Sequence, residues 1–358
     1  MAKEDTMKIL ALNSSPRTGG QSKTELMLDH LVEGMQDAGA EVEVVNLHAK
    51  KINYCIGCYT CWTKTPGKCL HKDDMTEELF PKWLNSDVAV YATPLYNFTL
   101  SAEMKAFMER LLPFMEPFFE QRDNLSVHTL RHTPPNAVVL SVAGFIEMSV
   151  FDQLSNYFQF LFGHSRLLAE IYRPGAESLS RDANKKKAIL AATVQAGREL
   201  VNSQRVSAET LNIIQQPIID FETFALFGNT FWKTCIAEGV TPKEFVAKNM
   251  VPRPDSLESF MVIFPHGINT KAVGEEKKIL QFQFASELSD SCHFIIEKDN
   301  VTATRGRTEN PDITIETPFE LWMDIMTRKA DGQQMFMEQK YTVSGELELM
   351  IQLFQKES

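Results

Sequence analysis

The sequence predicts an α/β fold: a doubly wound parallel sheet of five strands, with a smaller α+β domain after it. Three observations carry this. Short apolar runs alternate with helical patterns through the first half, two prolines interrupt the chain at Val251-Pro-Arg-Pro-Asp255, and closely spaced alternating strands follow that break. A regular strand-helix rhythm builds parallel layers, whereas clustered strands with separate helices build an α+β unit. The length suits two domains, since 358 residues, 44% hydrophobic and 23% charged, exceed what one core usually organises.

The first strand is Lys8–Asn13, followed by a loop and a helix from about Ser22 to Ala38 that Gly39 stops. Val42–Leu47, Val88–Thr93, Ala137–Val142 and Leu168–Tyr172 read as the next four strands. Helical patterns fall at Thr76–Asn85, Ser101–Met108, Met148–Phe162 and Lys185–Val201. Ligands of such sheets bind beyond the carboxyl ends of the strands. From Ser207 to Lys248 the pattern is helical throughout, so the expected domains are 1–205 and 251–358, with a helical extension at 206–250. In the second domain, strands are expected at Ile279–Phe284, Cys292–Glu297, Val301–Arg305, Asp312–Glu316 and Tyr341–Ser344, with Asp299-Asn300 as a turn. Its helices are expected at Phe319–Thr327, at Gln333–Met337 and from Glu346.

The 36 basic and 47 acidic side chains leave a net charge of −11, which repels phosphate backbones and anionic lipid. Nucleic acid is therefore not an expected partner. No run is long and apolar enough for an export signal or a membrane span, so membrane insertion is not expected and the expected location is cytoplasmic. In that compartment six cysteines, four of them between Cys55 and Cys69, point to a metal or redox site sooner than to disulfides. Cys235 and Cys292 stand alone and read as small buried hydrophobes.

Directly after the first strand comes Ser14-Ser15-Pro16-Arg17-Thr18-Gly19-Gly20-Gln21-Ser22-Lys23, leading into a helix. Hydroxyls, glycines and a guanidinium at a helix N-terminus make a phosphate cradle, where free amides and the helix dipole favour an anion. An ordinary turn with Ser22 as N-cap is the plainer alternative. The spacing is neither a Walker loop nor G-x-G-x-x-G, and a single terminal phosphate fits it best.

The run Cys55-Ile-Gly-Cys58-Tyr-Thr-Cys61, with Cys69 brought back after Pro66-Gly67, crowds four thiols into a short span. Such crowding suits a cubane cluster. Zinc more often uses two separated Cys-x-x-Cys pairs, and bare thiols are the third alternative. His71 is the one histidine beside the run, and no histidine pattern marks a zinc hydrolase.

With its phosphate loop, the first half, about Lys8 to Val201, resembles the flavodoxin-like NAD(P)H-dependent FMN reductases and, within them, the iron–sulfur flavoproteins. Ser14, Ser15, Pro16, Arg17, Gly20, Gln21 and Ser22 match their phosphate loop. Thr93, Pro94, Leu95, Tyr96, Asn97 and Phe98, continuing to Ser101 with Lys105 and Glu109-Arg110, match their isoalloxazine loop and helix. Ala143, Gly144 and Phe145, after Ser141-Val142, match a third flavin loop. The four cysteines followed by Asp73-Asp74-Met75 resemble the cluster motif of the iron–sulfur flavoproteins, although the gap before Cys69 is longer here. The resemblance implies FMN as cofactor, NAD(P)H as co-substrate, a 4Fe-4S cluster on Cys55, Cys58, Cys61 and Cys69, and flavin-based chemistry with no separate catalytic acid or base. It also implies paired subunits, a homo-oligomer, with the insert Pro113–Pro135 as the candidate contact. Pro94 can bend the main chain toward a flavin ring, while Tyr96 and Phe145 offer flat apolar faces.

The segment from about Leu257 to Phe354 resembles the sterol-carrier-protein type of lipid-binding domain, through Leu280-Gln-Phe-Gln-Phe284, Asn310-Pro-Asp-Ile-Thr-Ile315, the Trp322 helix and Tyr341-Thr-Val-Ser-Gly345. This implies a five-stranded sheet with helices around an apolar tunnel for a lipid or other apolar ligand. Candidate tunnel walls are Trp322, Met323, Met326, Met335, Phe336, Met350 and Phe354, with plain core packing as the alternative.

The leading functional expectation is an FMN-dependent oxidoreductase passing electrons from NAD(P)H, or from a protein donor, to a small-molecule acceptor that is quinone-like, a flavin or otherwise apolar. Two alternatives stay open at this point: an iron–sulfur flavoprotein serving electron-transfer protein partners one electron at a time, and a lipid-binding protein whose flavodoxin half is only a scaffold.

Overall fold

Apolar runs uninterrupted by charge become the interior strands of the first sheet. In β1 (Lys8–Asn13) every residue after the first is buried, as a strand covered on both faces requires. β2 (Glu41–Asn46) mixes charged and apolar residues and lies at the sheet edge, while β3 (Val88–Pro94) is buried throughout. A hairpin of β4 (Met115–Arg122) and β5 (Leu125–Leu130) then forms a sheet of its own. β6 (Asn136–Val142) and β7 (Leu167–Arg173) complete the main sheet in the order β2-β1-β3-β6-β7, parallel at every step. This is the flavodoxin-like order, whose winding reverses between β1 and β3. The computed structural model describes residues 6–17, 20–122, 124–285, 290–298 and 300–355. It divides into two units, Met1–Ile218 and Ile219–Ser358.

In the first unit α1 (Lys23–Asp37) starts at Ser22, whose Oγ accepts from the Glu25 amide, and gives way to Gly39 at φ +92°. A π-helical turn at Met75–Leu79 leads into α2 (Phe80–Leu84), and Ser101 caps α3 (Ala102–Glu109). α4 (Asp152–Arg166), α5 (Ala183–Ser203) and α6 (Ala208–Gln215) follow. On one sheet face α1 and α5 cross so closely that a Cβ on Gly34 would lie 1.8 Å from the Val194 carbonyl oxygen, and one on Gly197 2.2 Å from that of Leu31. The opposite face carries a core that includes Leu12, Trp83, Tyr91, Phe107 and Phe158. The hairpin β4–β5 lies within the aromatic and proline-rich insert Pro113–Pro135, where no strand was expected.

The second unit opens with α7 (Phe221–Glu238), α8 (Pro242–Ala247) and α9 (Leu257–Ile263). The helical stretch at 206–250 is thus shared, α6 lying in the first unit and α7 and α8 in the second. It is broken at 216–220 and 239–241, where Pro217 and Gly239 fall. β8 (Lys278–Phe284), β9 (Ser291–Glu297), β10 (Asn300–Arg305) and β11 (Ile313–Thr317) are followed by α10 (Phe319–Met326), α11 (Gly332–Met337), β12 (Thr342–Gly345) and α12 (Leu347–Phe354). Asp299 of the expected turn lies outside the described residues. The sheet order is β10-β9-β8-β11-β12, with β8 and β11 parallel and the other pairs antiparallel. Phe260 sits at the centre of its core, edge-on to Phe282, Phe284 and Phe294 at 5.1, 5.3 and 5.7 Å, and each such ring contributes roughly 1.5–3 kcal/mol by its burial. Of the candidate tunnel residues, Trp322, Met323 and Met350 belong to this core, Met326, Met335 and Phe354 pack against it, and Phe336 is exposed at its margin.

Candidate functional site

The carboxyl ends of β1, β3 and β6, neighbours in the sheet, carry the three loops singled out in the sequence. After β1, the Ser14 amide and hydroxyl both donate to the Ala92 carbonyl, at 2.9 and 3.2 Å, which ties the loop to β3. The Ser15 amide donates to Asn13 Oδ1 at 3.0 Å and Ser22 Oγ donates to Ser15 Oγ at 2.8 Å, folding the loop back on itself. Gly20 has φ +77° with open space where a Cβ would stand, so the chain turns there without strain. The amides of Gln21, Ser22, Lys23 and Thr24 make no hydrogen bond to another described residue. Free amides at the start of a 15-residue helix, with the helix dipole behind them, favour an anion. Arg17 reaches across to Glu177, with Nη1 2.7 Å from Oε1 and both side chains half-exposed. Thr18 and Gly19 lie outside the described residues.

After β3, the Leu95 amide donates to the Val142 carbonyl at 2.9 Å, binding this loop to β6. Tyr96 and Thr99 exchange both backbone hydrogen bonds, at 3.1 and 3.0 Å, around Asn97 and Phe98, whose φ values are +47° and +65°. Two successive left-handed residues define the turn type that normally takes Asn-Gly, so Phe98 stands in a strained position with its ring outward. Thr93 Oγ1 accepts from the Ser101 amide at 3.0 Å and closes the loop onto α3. After β6, Ala143 exchanges backbone bonds with Arg173 and Ala176, at 3.0 and 2.9 Å. That leaves Gly144 and Phe145 exposed. Tyr96, Phe98 and Phe145 are 42%, 47% and 53% exposed, unusual for three aromatics clustered at the end of a buried sheet. Pro94 and Ala143 are buried beneath them.

The four cysteines form a second feature. Cys55, Cys58, Cys61 and Cys69 line one hollow together with His71, Glu109 and Arg110. Cys61 is buried and its thiol is pushed up to about 11 by that burial and by the neighbouring cysteines. The exposed Cys58 moves the other way, lowered by hydrogen bonds from Thr60. Among the described residues no three His, Cys, Asp or Glu side chains converge as ligands of a single metal ion. Two buried nitrogens of this hollow, His71 Nε2 and Arg110 Nε, have no hydrogen-bond partner. Four thiols around a common space with unused donors beside them fit a thiolate-held cluster.

Arg110 is fixed by Asp73, with Nη1 to Oδ2 at 2.7 Å and Nη2 to Oδ1 at 3.1 Å, both side chains fully buried. Nη1 also donates to the Asn53 carbonyl and Nη2 to Thr76 Oγ1, at 2.7 and 2.8 Å. Burial pushes the Asp73 carboxyl up, but the Arg110 fork and the Asn53 and Thr76 amides outweigh it and hold the group well below the usual carboxylate range. Matching Arg110 to the flavin helix missed this role; it faces the cysteine hollow and pairs with the Asp73 that follows the cysteines. The Arg17–Glu177 bridge, spanning 160 residues, left no signal in the sequence. Isolated Cys235 and Cys292 are buried as expected, and burial pushes Cys292 up to about 12. In the second unit Trp322 Nε1 is buried without a partner amid Phe282, Tyr341 and Phe354. No described helix is long and apolar enough to cross a membrane.

Residues 7–127 match the NADPH-dependent FMN reductase family, and residues 270–355 match the SCP-2 sterol transfer family. The chain is 41% identical over 108 residues to an iron-sulfur flavoprotein of Archaeoglobus fulgidus, covering 30% of this chain and 47% of that one. It is 34% identical over 104 residues to an iron-sulfur flavoprotein of Methanocaldococcus jannaschii, covering 29% and 50%. The chain thus spans about half the length of these curated relatives. Among solved structures, an NAD(P)H:quinone oxidoreductase from Methanothermobacter marburgensis superposes with a TM-score of 0.40 at 19% identity, over 55% of this chain and 98% of that one. From these matches, residues 7–127 carry a domain of the NADPH-dependent FMN reductase type and residues 270–355 one of the SCP-2 sterol transfer type.

Proposed function

We propose that the N-terminal domain binds FMN and passes electrons from NAD(P)H, or from a protein donor, to a quinone-like, flavin or other apolar acceptor. The observation that carries this reading is the convergence of a phosphate cradle and three exposed aromatic rings on adjacent strand ends, at the point where the sheet's winding reverses. When bound, the flavin supplies hydride acceptance and single-electron release. In this reading the chain's own residues bind and orient. The amides of Gln21–Thr24 and the Ser15 hydroxyl hold the phosphate, Ser22 Oγ fixes Ser15 by donating to it, and Arg17 adds charge within reach of the same loop. Tyr96, Phe98 and Phe145 cover the ring plane, while the Tyr96–Thr99 turn brings main-chain groups to its edge. Cys55, Cys58, Cys61 and Cys69 would hold a 4Fe-4S cluster that supplies one-electron exchange. The test is anaerobic mixing of the flavin-loaded chain with NADH or NADPH, after iron, sulfide and flavin counts. Bleaching of the flavin band within minutes supports the reading, and an unchanged spectrum with both nucleotides rejects direct nicotinamide oxidation.

For the C-terminal domain the proposed ligand is a lipid-like molecule, an apolar body with one polar end, favoured by the family match together with the unpartnered Trp322 Nε1 inside an aromatic core. A polar end accepting from that indole would remove a cost of about 1–3 kcal/mol. Quenching or shift of Trp fluorescence by long-chain acyl alcohols, lost in Trp322→Phe, tests it; equal binding by the variant counts against it.

A further inference from the structure

Arg110 presents one unused donor. Its two terminal nitrogens are consumed by Asp73, the Asn53 carbonyl and Thr76 Oγ1, which fixes the plane of the guanidinium and with it the direction of Nε–H. That nitrogen is buried and unpartnered. On the wall of the same hollow His71 Nε2 is likewise buried and unpartnered. An unmade buried hydrogen bond costs about 1–3 kcal/mol, and more for a charged group. A guanidinium N–H that can only donate, and a ring nitrogen that donates in its Nε2–H tautomer, in one small space call for an acceptor there. The remaining lining groups that bear on this are the four cysteine sulfurs and the Glu109 side chain. Glu109 already accepts from Lys105 Nζ at 2.6 Å and is half-exposed, so the sulfurs are the fitting acceptors.

We infer that His71 and Arg110 are positioning residues for the thiolate-held cluster, donating Nε2–H and Nε–H to its sulfur atoms and making it easier to reduce. The inference rests on the cluster reading above. Hydrogen bonds to cluster and ligand sulfurs, and a fixed positive charge, stabilise the extra electron of the reduced state and raise the reduction potential. Asp73 contributes indirectly: by gripping both terminal nitrogens it leaves Nε as the free donor of a guanidinium that has Cys69 beside it. The arrangement also differs from a simple ion pair in a core, where every donor would be matched.

The experiment uses the full chain, purified anaerobically as wild type and as His71→Phe, His71→Asn and Arg110→Lys. Iron and sulfide are counted and flavin retention is checked. The midpoint of the cluster is then measured by a dithionite titration followed by electron paramagnetic resonance. The expected result is full iron in all four proteins with a lower midpoint in His71→Phe and Arg110→Lys. The expected size is about a tenfold fall in the reduced-to-oxidised ratio at fixed poise, or ~59 mV for a one-electron couple. In His71→Asn, whose amide restores an N–H, the midpoint should recover part of the way. Loss of iron from His71→Phe and Arg110→Lys with retention in His71→Asn also supports the inference. Loss from all three variants, or unchanged midpoints in loaded variants, overturns it while leaving the cluster reading intact. A wild-type chain without iron and sulfide overturns both.

Discussion

Phe98 and Phe145 lie face to face, with ring centroids 6.1 Å apart and planes 8° from parallel, although they come from loops after different strands. Each is about half-exposed, and each is held by backbone geometry more than by packing. Phe98 occupies a left-handed position, φ +65°, between the Tyr96 and Thr99 pair, at a cost of roughly 1–2 kcal/mol for a residue with a Cβ. Phe145 is fixed through its carbonyl, which accepts from the Gly175 amide at 2.6 Å. Strain spent on holding apolar rings in solvent is a mark of a ligand surface.

Removing either ring should therefore weaken flavin binding with little effect on folding. Phe98→Ala and Phe145→Ala are each expected to raise the FMN dissociation constant about tenfold, ~1.4 kcal/mol, within the range for losing an aromatic contact and its buried area. Because the rings are parallel neighbours, 6.1 Å apart, the double variant should lose less than the sum. Flavin fluorescence titration measures this; unchanged affinity in both single variants removes the aromatic platform from the site.

The phosphate loop makes a separate forecast, since riboflavin shares the ring and lacks the phosphate. The wild-type chain is expected to prefer FMN over riboflavin, and Ser22→Ala to narrow that preference by roughly tenfold, because it frees the Ser15 hydroxyl that Ser22 Oγ holds in place at the cradle. The same substitution deletes the cap on the Glu25 amide, a stability loss of about 1 kcal/mol. Equal affinity for the two flavins in the wild type would refute the phosphate cradle; an unchanged ratio in Ser22→Ala would clear that hydroxyl alone.

The strands and the phosphate loop were legible because they are local. Ile9–Leu12 is an apolar run that has only one comfortable environment, and Ser22 before a helical period marks its own cap. The hairpin was not, because Pro117 and Glu120-Gln121-Arg122 break the alternation that would announce β4, and its pairing carries an irregularity between Met115 and Phe119. Nor was the partnership of Asp73 with Arg110. Both residues stood in recognised motifs, yet their pairing depends on where α3 ends relative to the cysteine loop, a tertiary fact that spacing of 37 residues does not encode.

Gly34 and Gly197 predict a sharp position dependence for one small change. Alanine normally helps a helix by about 1 kcal/mol relative to glycine, and Gly228→Ala in α7, where nothing lies within 4 Å, should raise stability by about that amount. Gly34→Ala instead pushes a methyl into the Val194 carbonyl at 1.8 Å, backbone that cannot step aside. Forcing α1 from α5 should cost about 1–3 kcal/mol or more. Thermal unfolding of the two variants measures the contrast; a Gly34→Ala chain as stable as wild type would mean the helices do not cross at this distance.

The Asp73–Arg110 pair predicts the acid limb of stability. Removing one partner of a buried pair strands the other, so Asp73→Asn should cost about 3–5 kcal/mol at neutral pH. The folded-state pKa of Asp73 is depressed. Its contribution is therefore fully present above the unfolded carboxylate value of about 3.9 and is withdrawn as pH falls from there toward the folded value. The gap between wild type and Asp73→Asn should then be constant from pH 7 to about 5 and shrink below pH 4, as the wild type alone takes up this proton on unfolding. Denaturant unfolding of both chains across that range measures the gap, and subtraction cancels the other carboxylates that the two proteins share. A gap that stays level down to pH 3 would show that Asp73 is not held ionised by Arg110 in the folded chain.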